Sequence, residues 1–387
     1  MIKSYFPSLR IRGREVLPIV QGGMGIGVSG HRLAGAVAGQ GAVGTIASVD
    51  LRRSYPDIMQ RLRKCRDPAV HAAANVEALD REVRAARAIA GKDGFIAVNV
   101  MRALSNYSDL VIQACRSGAN AVVCGAGLAF DLPELAQPYP DVALIPILSE
   151  ERGVRAILKR WARTSRLPDA IIIESPRYAG GHLGATRLDE VADARFDFTR
   201  VFAEIRKVFD ELKIPPRRIP LIPSGGINSF EKIGAMFGLG ASGVQIGTPF
   251  AVTEECDAHP NFKRVLAEAT PQDIVTFMSS AGLPARAVNT PWLQRYLTKE
   301  TRLRAAARPD PDGAQCPSSL QCLAHCGFKD GNPDAGQFCI ESQLAAAQRG
   351  NVEKGLFFRG SESLPFGAQI RSVRELLMLL LSNPCCR

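Results

Sequence analysis

The chain has 387 residues, 46% of them hydrophobic and 22% charged, so it can bury a large core and is not a disordered polymer. A net charge of +10 raises nucleic acid as a partner, but the basic residues are scattered and aromatics, at 6%, do not interleave with them, which argues against it. No stretch approaches the roughly 18 to 20 uncharged apolar residues of a membrane helix, and no long apolar run precedes the first N-terminal charges, which predicts a cytoplasmic protein with no membrane partner.

Short apolar runs punctuate the first 250 residues. They are Leu17–Gln21, Val43–Ala47, Phe95–Val100, Ala121–Cys124, Val142–Leu148, Asp169–Glu174, Ile219–Ser224 and Gly243–Gly247. Each is rich in β-branched residues and nearly free of charge until its end. Continuous apolar runs predict strands buried on both faces, hence a parallel sheet. Their starts lie 26, 52, 26, 21, 27, 50 and 24 residues apart. One strand with its helix takes roughly 25 to 30 residues, so two intervals carry insertions. Helical patterns at Val76–Ala90, Asp109–Ser117, Glu150–Thr164, Phe198–Leu212 and Phe230–Phe237 fill most gaps. Eight strands alternating with helices predict an α/β fold, a (β/α)8 TIM barrel over residues 1–258. A doubly wound open sheet is the rival and fits the strand count less well.

Residues 259–310 read as helical, and 309–336 as an irregular loop rich in Pro, Gly, Asp and Cys. Helical runs return at Ser342–Gln348 and Ser372–Leu381. Residues 259–387 are therefore expected to form a helical extension that completes or covers the barrel. Of the ten cysteines, Cys65, Cys115, Cys124 and Cys256 stand alone and read as buried small hydrophobes, and Cys385 and Cys386 sit in the tail. Cys316, Cys322, Cys326 and Cys339 cluster in the loop 316–339 around His325. Four converging thiolates could hold a structural zinc or iron–sulfur centre, though the spacing is not a standard one; four reduced thiols packing a loop is the alternative.

Chemistry in such a barrel sits at the C-terminal ends of the strands. Glycines concentrate there: Gly22 and Gly23 before Met24, Gly225 and Gly226 after Ser224, and Gly247 before Thr248. Loops after the seventh and eighth strands commonly cradle phosphate with backbone N–H groups, and Thr248 adds a hydroxyl. Gly25-Ile26-Gly27-Val28-Ser29-Gly30, with Asp50 twenty residues on, matches a dinucleotide fingerprint in form but leaves the later glycine loops unexplained. The sixth strand leads through Glu174 to Gly180-Gly181-His182, a histidine flanked by glycines at the expected mouth of the barrel and a candidate acid or base. His31, His71 and His259 read as helix-surface residues.

These stretches carry a resemblance. VQGGMGIGVSGHRLAGAVAGQGAVGTI, AVNVM, AIIIESPRYAGGHLGA, IPLIPSGGINSFEKIGAMFGLGASGVQIGTPF and SSAGLPARAV are similar to the nitronate monooxygenase family, once called 2-nitropropane dioxygenases. Flavin-dependent enoyl-ACP reductases and some NAD(P)H:quinone reductases belong to the same group. The resemblance implies an FMN-binding barrel. It places Gly22, Gly23 and Met24 along the isoalloxazine, Asn99 near the flavin ring and Glu174 at the strand end beneath the site, has Gly225, Gly226, Gly247 and Thr248 bind the phosphate with Gln245 nearby, and counts Gly181 and Ser224 among the cofactor-binding residues. It makes His182 the catalytic histidine. The implied reaction is oxidation of alkyl nitronates by O2 to a carbonyl compound and nitrite. The alternative is an NAD(P)H-dependent reductase serving a lipid or polyketide pathway. Pro176-Arg177-Tyr178 departs from the family's pattern of a small or acidic residue there, and is expected to narrow the pocket or recognise an anion. The sequence sets no oligomeric state.

Overall fold

In a computed structural model, residues 2–310, 316 and 322–383 are described. Eight parallel strands close into a barrel in the order β3 (Ile19–Gln21), β4 (Val43–Ala47), β5 (Phe95–Met101), β6 (Ala121–Gly125), β7 (Ala143–Leu148), β8 (Ile171–Glu174), β10 (Leu221–Ser224) and β11 (Val244–Ile246). These are the eight apolar runs of the sequence. Amphipathic helices pack outside; in Phe198–Glu211 the buried Val201, Phe202, Ile205, Val208 and Phe209 recur at helical spacing.

A period of two is hidden inside each apolar run. On β5, Phe95 and Ala97 belong to the barrel interior, while Ile96, Val98 and Val100 pack under the helices. On β6, Ala121 and Val123 point in and Val122 and Cys124 out; on β7, Ala143 and Ile145 point in and Leu144 out. Ile172 and Ile222 continue the inward layer. One more step of two along each strand reaches Asn99, Gly125, Ile147, Glu174 and Ser224, which line the main cavity instead of the core. The alternation that packs the barrel thus also aims its polar strand ends at the open mouth.

The opposite end is plugged. A hairpin, β1 (Leu9–Ile11) with β2 (Arg14–Val16), pairs Leu9 with Val16 and buries Leu9, Ile11 and Val16 in the interior layer. No periodic run marks it in the sequence, because each strand is three residues long and carries charge at its outer positions.

Residues 259–310 correct the helical expectation. Helices do span Pro260–Glu268 and Pro291–Ala305, but between them lies an antiparallel hairpin, β12 (Ile274–Met278) and β13 (Pro284–Val288). It forms a three-stranded sheet with β9 (Gly181–His182), pairing Ala285 with His182 and Arg286 with Gly181. The extension is therefore stitched to the loop that carries the candidate histidine. Further on, Ile340–Gln348 and Val373–Leu381 are helical, as the sequence predicts. Among the described residues, no helix is long and apolar enough to cross a membrane.

Candidate active site

The strand ends and the extension enclose a cavity of about 1060 Å3, slightly beyond the roughly 300–1,000 Å3 usual for a small-molecule site. Every residue proposed from the sequence for the flavin site lines it: Gly22, Gly23, Met24, Asn99, Glu174, Gly181, His182, Ser224, Gly225, Gly226, Gln245, Gly247 and Thr248.

The glycines are there for backbone reasons. Gly225 and Gly226 adopt φ of 103° and 75°, a region L side chains rarely occupy, and a Cβ on Gly226 would stand 2.8 Å from the Tyr178 ring. A Cβ on Gly23 would overlap Asn99. Ser224 and Gln245 sit side by side in register, and the Gln245 Nε2 amide donates to Ser224 Oγ at 3.0 Å. Phe230–Gly238 opens directly after the Gly225-Gly226 loop, capped by Ser229. Thr248 begins the next short turn of helix. The Tyr178 ring packs beside Gly226, and the glycine backbone with Ser224, Gln245 and Thr248 makes a polar wall that fits a phosphorylated cofactor.

A strap from the extension crosses that wall. Gly360 N donates to Thr248 Oγ1 at 3.0 Å and Ser361 N to Tyr178 O at 3.2 Å. Lys232 Nζ bridges Gly226 O at 2.9 Å and Glu362 at 2.5 Å. Tyr178 lines the cavity, as expected. Arg177 does not: its guanidinium turns to Asp197 at 3.2 Å and donates to Ala192 O at 2.7 Å, so it neither narrows the pocket nor waits there for an anion.

His182 and Glu174 are the titratable groups at the strand ends. Burial pushes the His182 imidazole down to about 4 and the Glu174 carboxyl up to about 7. His182 is therefore neutral at pH 7, and Glu174 is poised to exchange a proton there. His182 Nε2 lies 3.0 Å from Ser279 Oγ, and its ring meets Phe358 edge-on at 5.6 Å.

The dinucleotide-like loop has a different fate. The helix His31–Gly39 does follow it, but the Asp257 carboxylate already accepts from the N–H groups of Gly30, Arg32 and Leu33 at 2.9, 3.0 and 3.1 Å. A protein carboxylate occupies the helix N-terminus where a pyrophosphate would sit. Asp50 is committed as well, to Arg52 and Arg53.

Those arginines belong to a buried cluster the sequence did not reveal. Arg52 donates from Nε to His71 at 3.2 Å and from Nη2 to Glu341 at 3.0 Å, and Arg53 Nη2 reaches Glu341 at 2.5 Å. Burial alone would raise the Glu341 carboxyl; Arg53 and Arg52 outweigh it and hold it below the usual range. His71, expected on a helix surface, is buried on the inner face of Pro68–Ala90. Arg52, His71 and Glu341 all line the cavity. The cluster ties the end of β4 to the first turn of Ile340–Gln348.

Cys316, Cys322, Cys326 and Cys339 come together around a void of about 10 Å3, and Cys322 also touches the main cavity. Burial pushes the Cys322 and Cys326 thiols up. Among the described residues, no three His, Cys, Asp or Glu side chains are arranged to hold a metal ion. His325 is exposed. Cys115, Cys124 and Cys256 are buried as expected, Cys65 is half-buried, and Cys385 and Cys386 lie outside the described residues.

The model of the nitronate monooxygenase family matches residues 13–383. The chain belongs to the nitronate monooxygenase family. It is 27% identical over 293 residues to a probable nitronate monooxygenase of Bacillus subtilis (strain 168), covering 74% of this chain and 80% of that one. FabK from Thermotoga maritima superposes with a TM-score of 0.64 at 22% identity, over 94% of this chain and 91% of that one. A nitroalkane oxidase from Streptomyces ansochromogenes gives 0.63 at 19%, over 94% of each. At those identities the two structures bear on the fold, which is the TIM barrel. Family membership makes the chain an FMN-dependent oxidoreductase.

Proposed function

We propose that this member of the family oxidises alkyl nitronates with O2 to a carbonyl compound and nitrite. The observation that carries the reading is His182: a neutral imidazole at the strand ends, facing the same cavity as the glycine loops. In this reading Gly225, Gly226, Gly247 and Thr248 hold the FMN phosphate, with Ser224 and Gln245 bracing them. Gly22, Gly23, Met24, Asn99, Glu174 and Gly181 flank the ring. When bound, the flavin supplies hydride or single-electron transfer.

The chain's own residues do the rest. A nitronate is an anion with its charge on the nitro oxygens. His182, neutral at pH 7, offers a hydrogen bond to those oxygens. A positively charged imidazolium would instead tend to protonate the nitronate back to the less reactive nitroalkane. Gly360 and Glu362 of the strap cover part of the cavity, and the hairpin β12–β13 holds the His182 loop; the less water reaches that hydrogen bond, the stronger it is. Residues 259–387 act in this account as a cover over the barrel residues 1–258.

A second reading, an NAD(P)H-dependent flavin reductase of the enoyl-ACP or quinone type, is favoured by the cavity volume. About 1060 Å3 is more than one flavin and a small nitronate need. Oxygen uptake with propyl-2-nitronate separates the two readings. The first expects O2 consumption and nitrite release without NAD(P)H. NAD(P)H oxidation with no nitronate-dependent O2 uptake overturns it in favour of the second.

A further inference from the structure

We infer that Ser279 is a positioning residue for His182: its hydroxyl donates to Nε2, which places the imidazole proton on Nδ1 and makes His182 a neutral N–H donor toward the cavity. The inference rests on the reading above that His182 faces the substrate, but the spectrum that decides it needs no substrate.

The geometry begins with the backbone. Ser279 follows β12 at the start of the turn into β13, and it is fully buried. Its N–H donates to Leu283 O at 3.0 Å, and its carbonyl accepts from Gly282 N at 3.0 Å and Gly336 N at 2.9 Å. Both main-chain groups are therefore pinned, and the Cα–Cβ bond has a fixed direction. The same hairpin fixes the histidine, because β13 pairs Ala285 with His182 and Leu183 N donates to Pro284 O at 3.0 Å. The two side chains meet because one hairpin holds both.

The protons then follow from counting. A serine oxygen has one proton and two lone pairs. Ser279 Oγ accepts from Ala281 N at 3.2 Å and lies 3.0 Å from His182 Nε2. If Nε2 carried the imidazole proton, two donors would converge on Oγ. The hydroxyl proton would then be left without an acceptor in a fully buried position, an arrangement folded proteins avoid. With the hydroxyl donating to the bare Nε2, both partners of the Ser279–His182 contact are satisfied, and the one N–H left over belongs to a ring that lines the cavity, where a ligand can take it. The ring's only proton is then on Nδ1, and no side chain or backbone group among the described residues hydrogen-bonds to that nitrogen. Phe358 holds the ring edge-on and supplies no polar atom.

The arrangement has a chemical consequence. A hydroxyl relays a proton only between two exchanging partners, and the other contact of Ser279 Oγ is the Ala281 backbone N–H, so Ser279 does not carry a proton away from His182. Nor can Nε2 take up a second proton without turning the hydroxyl out of place. His182 is thereby restricted to donating a hydrogen bond from Nδ1 to an oxygen that carries or develops negative charge, and it is kept from acting as a general base through Nε2.

The test is 15N NMR of the FMN-loaded enzyme labelled at histidine, with the His182 resonances assigned by their loss in His182→Asn. At pH 7 to 8 the wild type is expected to show one neutral tautomer, protonated at Nδ1 and bare at Nε2. Ser279→Ala is expected to mix the tautomers. It should also lower kcat with propyl-2-nitronate by about tenfold or more while KM and flavin content hold. A wild-type spectrum with the proton on Nε2, or on both nitrogens, overturns the inference; so does Ser279→Ala with the tautomer unchanged. Should that variant fail to retain flavin, the wild-type spectrum decides alone. An enzyme inactive on nitronates but carrying the Nδ1 proton would refute the nitronate reading and leave this one standing.

Discussion

The barrel and the extension build the site by different rules. The barrel contributes residues through strict alternation: the inward layer Val43, Phe95, Ala121, Ala143 and Ala170 is followed by Ala97, Val123, Ile145 and Ile172, and then by Asn99, Gly125, Ile147 and Glu174 at the mouth. Their positions follow from strand geometry alone. The extension contributes by long-range contact: Ser279 to His182, Gly360 to Thr248 and Glu341 to Arg52, over separations of 97, 112 and 289 residues. One region forms a surface on which a flavin can lie; the other controls the groups that act around it. If that division is right, barrel changes should affect cofactor retention, and extension changes should affect stability and turnover with the flavin still in place.

The largest effect belongs to the barrel. Gly226→Val adds a β-branched side chain at φ 75° against Tyr178. The expected protein is folded and colourless, as read by absorbance and by failure to quench FMN fluorescence. A yellow variant with full occupancy would remove the Gly225-Gly226 loop from the cofactor cradle. Next comes His182, which lies on β9 between the two regions. His182→Asn should keep its flavin and lose about 10²- to 10⁴-fold in kcat/KM, the usual range for a group that handles or positions protons. Loss of flavin with loss of turnover would make it a cofactor ligand instead and blur the division.

How far each region was legible follows from the same rules. Eight buried strands announce themselves as apolar runs, and Gly225-Gly226 or Gly247-Thr248 at the end of such a run already points to a ligand. The hairpin β12–β13 had a signal in Ile274-Val275-Thr276-Phe277-Met278, a β-branched and aromatic run, but it was too short to stand out among helical neighbours rich in Arg and Ala. Nothing local marks Ser279, because a serine in a turn has many uses until its histidine is brought to 3.0 Å. His71 lies buried and not on the helix surface for a related reason: its helix is amphipathic, but which face holds a buried partner depends on where Arg52 and Glu341 arrive. Arg177 faced outward because Asp197, twenty residues on, was free to receive it.

The extension's grip on the barrel can be broken at Glu341. Glu341→Ala leaves Arg52 and part of Arg53 buried without that carboxylate, which should cost about 3–5 kcal/mol in denaturant unfolding. Double replacement of Glu341 and Arg52 by apolar residues of similar volume should recover much of it. A single variant as stable as wild type would mean that Asp50 alone satisfies both arginines, and that the extension is attached mainly through its hairpin.

The smallest expected effect sharpens the comparison through pH. Glu174 is raised to about 7 and His182 lowered to about 4, both by burial, the first on a barrel strand and the second on the loop the extension holds. A carboxyl raised in the folded state binds its proton more tightly there than in the unfolded chain. Its contribution to stability is complete below the unfolded value near 4.5 and is lost as pH rises toward 7. A histidine lowered in the folded state acts in the opposite sense: its contribution is complete above 6.5 and is lost as pH falls toward 4. Between about 4.5 and 6.5 the contributions of these two groups oppose and nearly cancel. Glu174→Gln removes the first slope and leaves the second. Relative to wild type the variant should then gain stability with rising pH, ending about 3 kcal/mol better at pH 8 than at pH 4, because the amide carries no charge to desolvate. Urea unfolding at pH 4, 5, 6, 7 and 8 reads the difference. Parallel curves for the two proteins would show that Glu174 titrates near its ordinary value, opening it to water in spite of its place at the strand end and removing it from any proton exchange at neutral pH.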